Sequence, residues 1–297
     1  MKLNYLLLDV FTKQRLQGNP LAVVLKADGL LDGEMQAIAR EFNLSETVFL
    51  VKPHAERNTA AVRIFTPAVE LQFAGHPTVG AAVVLGLQNK VSAVRIEEKV
   101  GLITALFEKA DKSSGEARFA LPQLPAEIAP LPDKVAIALA LGIEVNDIGC
   151  GPYLPAVYSA GTGFHLVPVR DTAVLARLEL NMGLWGRAFP HERQSVYVFT
   201  QAPNERGIDL AARMFSPGMG LGEDPGTGAA AAALIGLLAK HADISSGQVD
   251  FVLRQGKEMG RLCLIRMQMK LDNDVLVHGA IGGDAVVVGE GVLDLGD

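Results

Sequence analysis

Three ionisable residues of this 297-residue chain sit where their surroundings could turn them to acid/base work. His76 lies in Gly75-His76-Pro77-Thr78, directly before the apolar run Val79–Leu85. Asp224 lies in Glu223-Asp224-Pro225-Gly226-Thr227-Gly228, directly before the alanine-rich run that starts at Ala229. Glu46 stands between Ser45 and Thr47 at the head of Val48-Phe49-Leu50-Val51, where burial could raise a carboxyl pKa. A histidine in the first turn of a helix meets the positive end of the macrodipole, which favours the neutral ring. Loops with different ionisable groups suit a site with separate acid and base roles. Each residue also has a structural reading. His76 is one of six histidines, Asp224 could be a helix-start carboxylate, and Glu46 could be a hydrogen-bonded strand end.

The two loops share a second property. Glycine and a small polar residue before an apolar run predict a helix whose first N–H groups lack intrahelical acceptors. Gly75, Pro77 and Thr78 form one such candidate anion site, and Gly226, Thr227, Gly228 and Ala229 the other. Taken alone, each is also ordinary capping. Paired, they suit a carboxylate or an enolate-like intermediate held by preorganised donors.

The pairing is periodic. Arg63-Ile64-Phe65-Thr66-Pro67 precedes the first loop and Arg213-Met214-Phe215-Ser216-Pro217 the second. The offset is 213 − 63 = 150 for the arginines and 227 − 78 = 149 for the threonines. A repeat near half the chain length predicts two related halves, each contributing one loop and one helix.

The elements that would position these residues follow from pattern. Tyr5–Phe11 and Leu21–Leu25 read as strands around the turn Gln17-Gly18-Asn19-Pro20, and Asp32 as the cap of a helix ending near Asn43. Strands are expected at 46–51, 60–65, 94–96, 103–107 and 117–121, with Glu70 in a loop. Pro122, Pro125, Pro130 and Pro132 mark a boundary, giving halves of 1–121 and 122–297, with a C-terminal strand 284–297 able to join the first. The second half repeats the plan, with helices at 133–141, 172–178 and 228–240. Its strands are expected at 155–159, 164–169, 195–200, 209–215, 249–253, 261–269, 275–279 and 285–289. The helices from Gly75 and Gly228 leave almost no polar face, so each should be buried inside a curled sheet.

Composition narrows the function classes. Hydrophobic residues make up 49% and charged residues 20%, which fits a globular chain of two domains. The net charge of −6 and the lack of a basic block argue against a nucleic-acid partner. No apolar run approaches a membrane span or a signal h-region, so the cytoplasm is the expected location, with no membrane partner. Cys150 and Cys263 form no C-x-x-C motif, read as buried free thiols, and leave no expected metal site. No G-x-S-x-G, Walker loop, H-E-x-x-H or strand–GxGxxG–helix unit is present, which argues against serine hydrolase, NTPase, zinc protease and dinucleotide oxidoreductase.

These residues resemble a known family. Asp9-Val10-Phe11-Thr12, Gly18-Asn19-Pro20-Leu21-Ala22-Val23, Asn43-Leu44-Ser45-Glu46-Thr47-Val48-Phe49, Arg63–Pro67, Gly75–Thr78 and Glu223–Gly228 are similar to the signature of the phenazine-biosynthesis PhzF-like proteins, in family order. The resemblance implies an α+β fold of the diaminopimelate-epimerase type: two pseudo-symmetric β-barrel-like halves, each around a central helix, with the active site in the cleft between them. It implies a cofactor-free isomerase acting on a small carboxylated substrate, commonly as a homodimer. Glu46 would be the proton-shuttling acid/base, assisted by His76 and Asp224, and the backbone of Gly75 and Gly228 would help hold the substrate. The chain departs from the phenazine enzyme at Ala229, where that enzyme has a serine, so one hydroxyl donor is lost. Relatives that epimerise amino acids use a cysteine at each helix start, and this chain has none there. The readings to weigh against it are a non-catalytic carboxylate-binding protein on the same scaffold and a different proton-transfer enzyme, such as an epimerase or a lyase.

Overall fold

The computed structural model describes residues 1–129, 133–190, 195–219 and 221–296, so Pro130 and Pro132 of the proline stretch lie outside the described residues. The chain divides into two compact units, Met1–Pro122 with Gly282–Asp297, and Gln123–Ile281.

The first unit runs β1 (Lys2–Val10), β2 (Asn19–Val24), α1 (Asp32–Phe42), β3 (Thr47–Val51), β4 (Ala60–Phe65), β5 (Glu70–Leu71), α2 (Gly75–Asn89), β6 (Ala93–Glu98), β7 (Gly101–Lys109) and β8 (Ser114–Ala120). The second runs β9 (Ala126–Ala129), α3 (Lys134–Leu141), β10 (Ala156–Ser159), β11 (Gly163–Pro168), α4 (Thr172–Ala176), α5 (Met182–Ala188), β12 (Val196–Gln201), β13 (Leu210–Ser216), β14 (Leu221–Asp224), α6 (Gly228–Lys240), β15 (Gly247–Gln255) and β16 (Cys263–Asp272). A final strand, β17 (Val275–Asp294), begins in the second unit and supplies its later residues to the first.

In the first unit the pairings close a ring, β17–β1–β2–β3–β4–β6–β7–β8–β17. Such closure leaves no free sheet edge. α2 fills the ring, touching β1, β2, β3, β4, β6, β7 and β8. That is why its sequence has no polar side, and Gly75 through Gly86 are all buried. Two glycines let strand side chains reach the helix axis. A Cβ on Gly80 would stand 2.4 Å from Leu21 Cδ2, and one on Gly86 would stand 2.3 Å from the Phe107 ring.

The second unit repeats the scheme. β2 and β3 pair in parallel, as do β11 and β12, and the parallel pair β4–β6 has its counterpart in β13–β15. The antiparallel hairpins β4–β5 and β13–β14 also correspond. α6 packs on β9, β10, β11 and β16, and its residues from Ala230 to Leu238 are buried. A cluster around Trp185, Phe189 and Phe215 packs α3 and α5 over β12 and β13.

Several sequence expectations need correction. Leu31, not Asp32, caps α1; Asp32 is its first residue, with its carboxylate on Arg63. Glu70 is not a loop residue but half of a short strand opposite Phe65. Asp224 ends a strand opposite Met214, where a loop was expected. β9 forms among the prolines, and α5 was not expected at all. The two strands expected at 275–279 and 285–289 are one continuous strand.

The 149-residue match of Thr78 to Thr227 also fails. The hairpin turn is three residues longer in the second unit, because Phe65 faces Glu70 whereas Phe215 faces Glu223. The helices therefore start at an offset of 228 − 75 = 153, which makes Ala74 and Thr227 the equivalent caps.

Candidate active site

α2 begins shortly after β5, at Gly75, and its second residue is His76, 3% exposed. β3 starts at Thr47, beside β2, and this places Glu46 next to that helix start. Glu46 Oε2 stands 3.4 Å from His76 Nδ1, and the two side chains are 14% and 4% exposed. Asn19, the wholly buried first residue of β2, has its Nδ2 at 3.4 Å from the same ring nitrogen. His76 Nδ1 thus faces a carboxylate and an amide. Protonated, it presents its N–H to Glu46; unprotonated, it can accept from Asn19. A carboxyl group with a ring nitrogen this close can exchange a proton with it or orient it.

Gly75 is the first helical residue, and Pro77, which has no N–H, is the third. Thr78 turns its hydroxyl inward, with Oγ1 2.7 Å from the Ala74 carbonyl and 2.7 Å from Glu98 Oε1.

In the second unit Asp224 is 5% exposed, and its Oδ2 accepts a 2.6 Å hydrogen bond from Thr227 Oγ1. Gln255 secures both residues. Its Nε2 donates to the Asp224 carbonyl at 2.7 Å and to Thr227 Oγ1 at 3.0 Å, while its Oε1 accepts from Thr227 N at 3.0 Å and from Tyr197 Oη at 2.9 Å. Pro225 and Gly226 are buried between Asp224 and the helix. Gly228 opens α6, and Ala229 follows as its second residue, partly exposed. Both helix starts carry the positive end of a helix dipole.

An arginine–glutamate clasp anchors each hairpin. Arg63 donates Nε and Nη2 to the two oxygens of Glu70 at 2.8 and 2.7 Å, and Arg213 does the same to Glu223 at 2.8 Å for both. Each guanidinium also covers a phenylalanine ring, Phe65 at 5.1 Å and Phe215 at 5.0 Å. Burial pushes the Glu70 carboxyl up, but the hydrogen bonds from Arg63 and Lys99 outweigh it and hold the group below its usual range.

The structure therefore brings Glu46 and His76 together in one unit, and Asp224, Thr227 and the start of α6 together in the other. Sequence reasoning missed Asn19, Glu98 and Gln255. Only Asn19 carried a local signal, a polar residue after the left-handed Gly18 at the head of a fully apolar strand. Cys150 and Cys263 are buried and form no disulfide with each other. Among the described residues, no group of three or more His, Cys, Asp or Glu could hold a metal ion. No helix among them is long and apolar enough to cross a membrane.

Against this geometry stand the comparisons with known proteins. The family model described as phenazine biosynthesis-like protein matches residues 8–291. The chain belongs to that family. An uncharacterized isomerase of Mesorhizobium japonicum is 39% identical over 297 residues, covering 98% of each chain. The trans-2,3-dihydro-3-hydroxyanthranilate isomerase of Pseudomonas chlororaphis is 34% identical over 295 residues, covering 98% of this chain and 99% of its own. A Bacillus anthracis phenazine biosynthesis protein of the PhzF family superposes with a TM-score of 0.88 at 25% identity, covering 99% and 100% of the two chains. The family is one of isomerases, and the fold is the α+β arrangement that its PhzF members share.

Proposed function

We propose that the protein isomerises a small carboxylated substrate by moving a proton between two carbons, without a cofactor, with Glu46 as the shuttling group. The observation that carries this reading is the 3.4 Å approach of Glu46 Oε2 to His76 Nδ1 at the start of the buried helix α2. In the forward step the Glu46 carboxylate takes a proton from an acidic C–H, and the electron pair moves into the adjoining unsaturated system. The same carboxyl then returns the proton at another carbon. Atoms and charge balance, and the product is an isomer.

Glu46 needs to change protonation state cheaply during this cycle. His76 serves that need, because its Nδ1 can present a proton to the carboxylate and withdraw it. Negative charge that develops on a substrate beside Glu46 falls to the N–H groups at the start of α2, that of Gly75 first; in the second unit Gly228 and Ala229 offer donors of the same kind at the start of α6. Pro77 contributes shape but no donor, and Thr78, Gly226 and Thr227 hold the turns that aim these groups. Asp224 is the second candidate acid/base group, held by Thr227 and Gln255.

The chlororaphis relative makes trans-2,3-dihydro-3-hydroxyanthranilate the first compound to try. Ala229 lacks the hydroxyl found in the phenazine enzyme, so related cyclic amino and hydroxy carboxylic acids belong beside it. The test is deuterium incorporation from D₂O, read by mass spectrometry, for the native chain and Glu46→Gln. Exchange that disappears with Glu46→Gln supports the proposal. Exchange that survives the substitution within a few-fold sinks it. Binding of the panel without exchange would favour a carboxylate-binding role.

A further inference from the structure

We propose that Glu98 is a positioning residue: a carboxylic acid that stays protonated in the folded chain and, through Thr78, fixes the helix start carrying Gly75 and His76. The protonation follows from counting protons. Thr78 Oγ1 lies 2.7 Å from the Ala74 carbonyl oxygen and 2.7 Å from Glu98 Oε1. A hydroxyl has one proton, and a carbonyl can only accept. When Thr78 donates to Ala74, the proton in the second contact comes from Glu98. An ionised Glu98 would leave one of two 2.7 Å contacts as oxygen against oxygen with nothing between them.

Two further observations agree. Glu98 is buried, and among the described residues its Oε2 has no hydrogen-bond partner, so nothing there would compensate a charge. Burial pushes the Glu98 carboxyl up to about 8, against a smaller opposing effect of the Thr78 hydroxyl. Among the described residues, no neighbouring charge acts on this carboxyl. β7 places Gly101 opposite Glu98, β4 places Ala61 beside Glu97, and α2 offers Thr78. Of the charged groups next in the chain, Glu97 is engaged by Asn58 and His54, and Lys99 binds Glu70. His76, two residues before Thr78, is the titratable group on the same helix turn.

The second unit shows the same position in neutral form. Glu97 pairs with Ala61 and Arg254 with Ala211, and 211 − 61 = 150, so Glu98 and Gln255 are register equivalents. Gln255 cannot ionise, and its Nε2 donates to Thr227 Oγ1, which in turn donates to Asp224 Oδ2 at 2.6 Å. Protonated Glu98 makes an analogous chain through a threonine one turn further into its helix: carboxylic O–H to Thr78, Thr78 to the Ala74 carbonyl.

The link to catalysis rests on the acid/base reading of Glu46 and His76, but the test does not. Infrared difference spectra of the folded protein at neutral pH should show a carboxylic-acid carbonyl band that is absent from Glu98→Gln. The NMR ring signals of His76 should shift with pH through about 8 in the native chain, and this inflection should vanish in Glu98→Gln. Where exchange on trans-2,3-dihydro-3-hydroxyanthranilate is measurable, Glu98→Ala should lower its rate at least tenfold, and Glu98→Gln should restore most of it. Absence of the band overturns the protonation. A band with His76 signals indifferent to it overturns the positioning role. Failure of Glu46-dependent exchange would count against the function and leave both spectroscopic answers standing.

Discussion

Arg213 holds Glu223 by two parallel N–H···O bonds of 2.8 Å, one residue before Asp224. Its guanidinium is 11% exposed and the carboxylate 18%. The planar fork matches the carboxylate as an ammonium cannot. Arg213→Lys should therefore lower stability by about 1–3 kcal/mol, read as a lower urea midpoint with an unchanged slope. Arg63→Lys should do the same in the first unit, where Asp32 and Lys99 complete the network.

Glu46→Gln removes the proposed base and keeps the side chain's size and hydrogen-bonding shape. The expected loss of turnover is roughly 10²–10⁴-fold, with circular dichroism and thermal midpoint close to native. A comparable loss of fold would reassign Glu46 to structure.

Gly86→Ala tests how closely α2 is enclosed. Glycine to alanine inside a helix ordinarily gains about 1 kcal/mol. Here the new Cβ would stand 2.3 Å from Phe107 Cδ1 and 2.4 Å from Cγ. Overpacking of that kind costs about 1–3 kcal/mol, so the net effect should be destabilising, and Phe107→Leu should relieve it.

Glu98 links stability to pH. Its folded value of about 8 lies above the ordinary 4.5, so between the two the folded chain holds a proton that the unfolded chain releases. The stabilisation is complete below 4.5 and is lost as pH rises through about 8. The native chain should lose on the order of 3–5 kcal/mol relative to Glu98→Gln across that window. Denaturant titrations of both proteins from acid to alkaline pH measure the difference directly. Parallel curves would refute the linkage.

Much of this architecture could be read from local pattern. Ala60–Phe65 is a short, mostly apolar run that stops before Pro67, and the strand has the same bounds. The apolar perimeter of α2 announced its burial, and Gly75 its first turn. Asn43 and Gly142, both left-handed, end helices where their types suggested. What escaped depends on partners distant in the chain. Glu70 is a strand residue because Arg63 and Phe65 lie across from it, and a two-residue strand has no periodicity to detect. Glu46 and His76 were singled out separately, and no spacing rule states that they lie 3.4 Å apart. Glu98 and Gln255 sit at the ends of strands whose parallel partners precede them by more than 30 residues, so no local signal marks them.

The strand Val275–Asp294 has a consequence for how the molecule is made. Its residues 285–294 pair with β1, the first strand of the chain, and complete the ring around α2. A ribosome that has released β1 through β8 has therefore delivered a helix with no polar side and a barrel still missing a stave. That gap persists while the whole second unit is synthesised. Until residues 285–294 are made, the ring around α2 has no strand between β1 and β8.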